Sequence, residues 1–260
     1  MTLLVVLVGL LGLAVGSFLN VVVWRVPRGE SVVSPPSACP RCGHRIRARD
    51  NVPVLGWVLL RGRCRDCGEP IAVRYPLVEA GTGVAFALVA WGAGVSWTLP
   101  ALLYLAAVSV ALALIDLDTH RLPDAIVLPS YVVATVLLGL AAWNPGGEPD
   151  GAAFVRALVG GAVVFAVYFL LLVVYPAGMG FGDVKLAGVL GLYLGWAGWA
   201  SLVVGWFAAF LLGGLFAVGL LVAGRAGRRT SVPFGPWMLA GAWIGLVAGD
   251  AVWDWYRALL

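Results

Sequence analysis

The sequence predicts an all-α polytopic membrane protein of about eight transmembrane helices carrying one small cysteine-bearing loop domain. Three observations predict it. Of the 260 residues, 62% are hydrophobic and only 12% charged, about half the charge of a soluble domain, which excludes a water-soluble globule, a disordered tail and a fibrous repeat. Apolar runs of about 20 residues, the length that crosses a bilayer, recur along the chain. Ten of the 17 bases lie between Arg25 and Arg74 against four acids, so this stretch is +6 and the remainder −2.

The first span, 1–23, has no charge. It lacks the basic start and small-residue cleavage site of a signal peptide, so it reads as a retained helix. After the polar loop, apolar runs follow at 76–95, 98–117, 124–143, 153–175, 184–198, 200–223 and 233–250. The sixth of the eight spans is the shortest. Seven spans, or a re-entrant segment near Gly195–Gly198, fit the same pattern. Arginine bias sets the orientation: the large loop faces the cytoplasm and the N-terminus lies outside. The loop 144–152, without a base, then faces out. The loops 118–123, 176–183 and 224–232, the last with Arg225, Arg228 and Arg229, face in. Arg156 is the one base near an outer end. This topology accounts for the basic loop without a nucleic-acid partner, and anionic lipid headgroups are the expected neighbours of its arginines. The expected division is a first helix over 1–24, a metal-binding loop over 25–75 and a membrane domain over 76–260.

Within the loop, Cys39-Pro-Arg-Cys42 and Cys64-Arg-Asp-Cys67 are two C-x2-C pairs, each followed by glycine. Two such turns aim four thiolates at one tetrahedral ion, a strong signal for zinc or a similar metal. A cytoplasmic placement disfavours the alternative of two disulfides. Four protein thiolates leave no open coordination position, so the ion is structural, and it supplies the fold of a segment too small for a core. His44, just after the first pair, is an alternative ligand or an exposed histidine.

Acids at membrane edges carry the remaining chemistry. Asp116, Asp118 and Asp124 lie in Asp116-Leu-Asp118-Thr-His-Arg-Leu-Pro-Asp124, and Asp183 in Gly178-Met-Gly-Phe-Gly-Asp183-Val-Lys185. Intramembrane acids are costly and usually functional. Asp116 ends one span and Asp183 begins another on the same side, so two carboxylates can meet at one depth. Such a pair shares a proton: one member activates water while the other protonates the scissile carbonyl, which is aspartyl-protease chemistry. Gly180 and Gly182 let backbone approach a substrate strand. Asp118 and Asp124 read equally as helix caps or partners of Arg121 and Lys185, and Lys185 as a cation beside Asp183 or a snorkelling side chain. Glu79 is a weak candidate for receiving cationic substrate, and His120 for tuning the acid pair. Neither histidine sits in a Ser/His/Asp set.

Gly180-Phe-Gly-Asp183, with Asp116-Leu-Asp118 and Leu122-Pro-Asp124, resembles the type IV prepilin peptidase family. Gly16-Ser-Phe-Leu-Asn20, Ser34-Pro-Pro-Ser37, the cysteine pairs, Asn51-Val-Pro53, Arg61-Gly-Arg-Cys64 and Arg74-Tyr-Pro-Leu-Val-Glu79 resemble its long, cysteine-containing bacterial form, and the match runs from about Gly16 to Pro236. The resemblance implies a bacterial inner-membrane peptidase with Asp116 and Asp183 as its catalytic pair. Asp118, Asp124, Gly180, Gly182 and Lys185 are then supporting residues. Such an enzyme cleaves the basic leader of prepilins or pseudopilins after glycine on the cytoplasmic side. The resemblance also implies N-methylation of the new N-terminus with S-adenosylmethionine, for which residues 25–75 show no glycine-rich nucleotide loop. Two other readings use the same residues: an ion- or proton-coupled transporter built on the paired acids, and a pilus or secretion assembly factor docking through the zinc loop.

Overall fold

The computed structural model describes residues 1–176, 178–224 and 232–259. The basic loop expected around Arg225, Arg228 and Arg229 lies outside the described residues. Among the described residues, eight long helices occupy the eight expected spans: α1 (Thr2–Arg25), α3 (Arg74–Ala93), α4 (Leu99–Thr119), α5 (Asp124–Trp143), α6 (Gly151–Val174), α7 (Phe181–Ala197), α8 (Trp199–Val222) and α9 (Gly235–Arg257). A five-residue α2 (Leu55–Leu59) lies in the first loop. Six of them, α1, α3, α4, α5, α6 and α8, are long and apolar enough to cross a membrane. Of the other two, α7 is 17 residues long, and α9 is diluted by Trp, Gly, Asp250 and Asp254. The chain is a multi-pass membrane protein.

Helix ends follow local chemistry. Asp150 caps α6 by accepting from the Ala153 N–H at 2.8 Å. Asn144 closes α5 in the left-handed region with φ 46°. The expected sixth span began at 184, but α7 begins at Phe181: Gly180 is extended, the Asp183 carboxylate accepts the Gly180 N–H at 3.1 Å, and the Asp183 N–H donates to the Gly180 carbonyl at 3.1 Å, which together add a turn. α9 runs on to Arg257, past the expected end at 250, where Asp254 and Arg257 pair one turn apart.

The chain forms two compact units, Met1–Ala111 and Leu112–Leu260. In the first, α1 and α3 pack in close contact. A side chain at Gly12 would stand 2.7 Å from the Phe86 Cβ, and one at Gly16 would stand 2.7 Å from the Glu79 Cα. Asn20 donates to the Tyr75 carbonyl at 3.2 Å. Partner numbers fall along α3 as they rise along α1, so the helices run antiparallel. Small residues allow this approach, as membrane helix pairs require.

In the second unit α7 is the hub. From Val184 to Gly195 nearly every residue is buried, as expected of a helix apolar all round. α6 reaches it through glycines: a Cβ at Gly160 would lie 2.7 Å from the Gly191 carbonyl, and one at Gly191 would lie 2.6 Å from the Gly160 carbonyl. α5 reaches it through the Tyr131 hydroxyl, which donates to the Lys185 carbonyl at 2.6 Å and occupies the notch at Gly188. α8 and α9 pack on each other at Gly205 and Gly241. Arg156 donates to the Gly195 and Trp196 carbonyls at 2.8 and 2.9 Å. This outlier to the charge pattern is therefore a cation at the C-terminus of α7, where the helix dipole favours it.

Candidate functional site

The two spans bearing the candidate acids end where polar turns begin. Asp116 is in the last turn of α4, and only 5% of it is exposed. Asp118, two residues on, is exposed, since two residues rotate a helix by about 200°. Asp116 Oδ2 accepts the Gly235 N–H at 2.9 Å, a free donor because Gly235 opens α9 and its N–H has no partner one turn earlier. Glycine is needed there, because a Cβ would lie 2.8 Å from that same oxygen. Asp183, half-buried in the first turn of α7, receives the Gly180 N–H. Its electrostatic neighbours include Asp116 and the buried Tyr168 of α6. Leu122 wedges between: it would meet a Cβ at Gly182 at 3.1 Å and one at Gly235 at 3.2 Å. The two acids are thus gathered at the cluster of α4, α7 and α9 ends, each oriented by a backbone donor.

The supporting candidates divide. Gly180 and Gly182 form the entry to α7. Lys185 pairs with Asp124 at the start of α5 and lies 5.1 Å from the Phe181 ring centroid, so it ties α7 to α5. His120, at φ 53°, closes α4 by donating its N–H to the Asp116 carbonyl at 2.8 Å, and it is exposed. Glu79 accepts the Val54 N–H at 2.7 Å, anchoring the first loop to α3. Gly235 and Tyr168 are site residues that sequence reading passes over. The visible signal for the first was a glycine between Pro233-Phe234 and Pro236 at the mouth of the last span; a tyrosine inside an apolar helix gave none.

The cysteines, in the first unit, gather at one point. Four sulfurs, from Cys39, Cys42, Cys64 and Cys67, lie within 4.8 Å of one another, as free thiols. The two turns repeat one geometry. Cys39 N–H donates to the His44 carbonyl and Cys64 N–H to the Glu69 carbonyl, at 2.9 and 2.8 Å, while Gly43 and Gly68 donate back to the first cysteine of each turn. Both glycines are left-handed, at φ 71° and 73°, a conformation open to glycine at little cost. Arg65 grips Asp50 at 2.6 Å and Arg47 grips Asp66 at 3.0 Å, tying the two turns together. The Cys42 and Arg41 N–H groups lower the Cys39 thiol to about 7. The Glu69 N–H favours the Cys67 thiolate, but burial and the Cys64, Cys42 and Cys39 sulfurs outweigh it and push Cys67 up to about 12. Four crowded thiolates therefore call for a cation. The Cys39–Cys67 sulfur distance is 3.8 Å, the edge of a tetrahedron with metal–sulfur bonds of about 2.3 Å. The cluster fits a metal ion.

Comparison with known proteins agrees with this layout. Residues 10–93 match the Bacterial Peptidase A24 N-terminal domain, and residues 103–218 match the Type IV leader peptidase family. A Pseudomonas putida protein named prepilin leader peptidase/N-methyltransferase is 40% identical over 96% of this chain and 92% of its own length. A Neisseria gonorrhoeae protein of the same name is 38% identical, over 95% and 91%. One from Myxococcus xanthus (strain DK1622) is 43% identical, over 85% of this chain and 64% of its own. No solved structure matches. Two family models covering consecutive stretches, and near-full-length similarity at this identity, place the assignment beyond the motifs alone: the chain belongs to the type IV leader peptidase family.

Proposed function

We propose that this protein is a membrane-embedded aspartyl endopeptidase that removes the basic leader of prepilins or pseudopilins on the cytoplasmic side, cutting after glycine. The observation that carries this is the meeting of Asp116 and Asp183 at one cluster of helix ends, each held by a backbone N–H. A carboxylate pair at short range holds one proton between its members. The ionised member takes a proton from water as the oxygen attacks the scissile carbonyl, and the protonated member donates to the carbonyl oxygen. Collapse of the tetrahedral intermediate returns a proton to the leaving amine. Gly180 opens onto the Asp183 carboxylate, and Gly182 and Gly235 give Leu122 and the Asp116 carboxylate the space they take beside the glycine backbones. The substrate's apolar helix lies among the spans while its basic leader stays in the aqueous phase. The N-terminus of this chain lies outside, and the cysteine loop and acid pair lie inside.

The division of labour follows the chain. Residues 76–260 carry the peptidase, 1–24 the first span, and 25–75 a structural zinc site on Cys39, Cys42, Cys64 and Cys67. Zinc in an all-thiolate site cross-links the two turns and leaves the cleavage chemistry to the acids. The relatives' name supports a second activity, N-methylation of the new N-terminus, for which S-adenosylmethionine would supply the methyl group. The described loop residues offer no strand-to-helix glycine cradle for a nucleotide, and no step is assigned through that group. The transporter reading needs acids near mid-membrane, whereas these stand at span ends beside polar turns. The assembly-factor reading leaves both acids replaceable.

The test is a mass-spectrometric assay in liposomes with a prepilin peptide, with and without S-adenosylmethionine. Wild type should release a product cut after glycine. Asp116→Asn and Asp183→Asn should each lose on the order of 10³-fold in rate while keeping helicity and metal content. An added methyl mass on the product would establish the second activity. Full cleavage by either Asn variant would reject the acid pair.

A further inference from the structure

We infer that α2, together with the neighbouring ends of α1 and α3, is an interfacial anchor that inserts into an anionic lipid leaflet and holds the metal loop against the membrane. The argument starts with level. Gly16 meets Glu79 and Asn20 meets Tyr75 across the antiparallel α1–α3 pair, so Trp24 and Arg25 at the end of α1 stand level with the start of α3 at Arg74. α2 hangs beside that same end at both of its ties. Val54, the residue just before α2, donates its N–H to Glu79 at 2.7 Å, five residues inside α3, or about 7.5 Å along the helix axis from the Arg74 end at 1.5 Å per residue. Its Trp57 indole donates to the Ile71 carbonyl at 3.0 Å. α2 therefore lies along the membrane end of the span rather than above it.

Its side chains match that depth. Trp57 turns inward over Gly62, while Leu55, Val58 and Leu59, on one helical face, are 59%, 55% and 78% exposed. Such a cluster is expensive in water and favourable in the acyl boundary, where interfacial helices bury an apolar face by about 5–10 Å. Aromatic and basic side chains stand at the same end of the α1–α3 pair or follow α2 in sequence. Trp24 and Tyr75 are exposed aromatics, the residues that favour headgroup depth. Arg28 lies 3.6 Å over the Trp24 ring. Arg61 and Arg63 follow α2 and are exposed, and the whole loop is +6. Apolar side chains below and guanidinium groups above are complementary to acyl chains under phosphate headgroups.

The experiment uses the full-length protein, reconstituted in phosphatidylglycerol-containing vesicles, with p-benzoylphenylalanine at position 55 or 59. Position 84, on the exposed face of α3, is the positive control, and position 45, in the first cysteine turn, the negative one. Retained metal content shows that each variant is folded. Illumination should give phospholipid adducts at 55, 59 and 84 and none at 45. Replacing phosphatidylglycerol with phosphatidylcholine should cut the adduct yield at 59 at least twofold and leave 84 unchanged. Lipid adducts at 84 with none at 55 or 59, or adducts at 55 and 59 only to protein, would overturn the anchor. Equal yield at 59 in the two lipids would overturn its anionic preference.

Discussion

Asp116 and Asp118 differ by two positions and by nearly everything else. One is buried against the first N–H of α9, and the other faces outward. Asp118→Asn should therefore retain most of the cleavage rate that Asp116→Asn is expected to lose, measured on the same peptide. Gly235 acts through its backbone. Its N–H orients Asp116, and the space beside its Cα is the space the carboxylate occupies. Gly235→Ala should lower kcat by roughly 10–100-fold, because small misplacements of reacting groups cost that much. KM should change little, since the substitution acts on the position of the acid. Gly214→Ala, where a Cβ meets nothing within 4 Å, should be neutral in the same assay. The candidate acids themselves were legible in the sequence, because charged residues at the ends of apolar runs are rare and costly. The partner of Asp116 was not, since it lies 119 residues away and contributes a backbone N–H, which every residue but proline carries.

At the scale of elements, the cysteine loop is two copies of one turn joined by a four-thiol cluster and two ion pairs. Binding energy for the metal is folding energy for such a loop. A strong chelator, or Cys64→Ser, should expose the amides of residues 37–46 and 62–71 to hydrogen exchange. Acid should also release the metal, because protons compete for the four thiolates. The Asp50–Arg65 pair has its own dependence. Arg65 holds the Asp50 carboxyl below the usual range, so the pair contributes at neutral pH and is lost as pH falls through that depressed value. Asp50→Asn should weaken loop protection at pH 7, and the difference from wild type should vanish well below about pH 4. In the second unit the corresponding element is α7. Gly160 and Gly191 let α6 lie backbone to backbone against it, so Gly191→Leu should cost at least about 1–3 kcal/mol, as overpacking does. Thermal unfolding in detergent would read it.

At the scale of the molecule, one orientation accounts for the arginine-rich first loop and for the short loop around Glu148. A periplasmic-active phosphatase fused after Glu148 should be active, and one fused after Gly68 inactive. The reverse pattern would invert the chain and place the acid pair outside. Composition and charge alone determined that this is a helical membrane protein with a basic loop, because lipid permits few spanning structures and hydropathy reports them directly. The four clustered cysteines were equally visible, since two short turns carry their chemistry within a few residues. Only the tertiary structure buried Asp116 and left Asp118 exposed, set Lys185 on Asp124, gave Arg156 to the end of α7 and brought the Gly235 N–H to Asp116. Each of these depends on which helix faces which. Glycine notches decide that through shape, and one-dimensional hydropathy does not record shape.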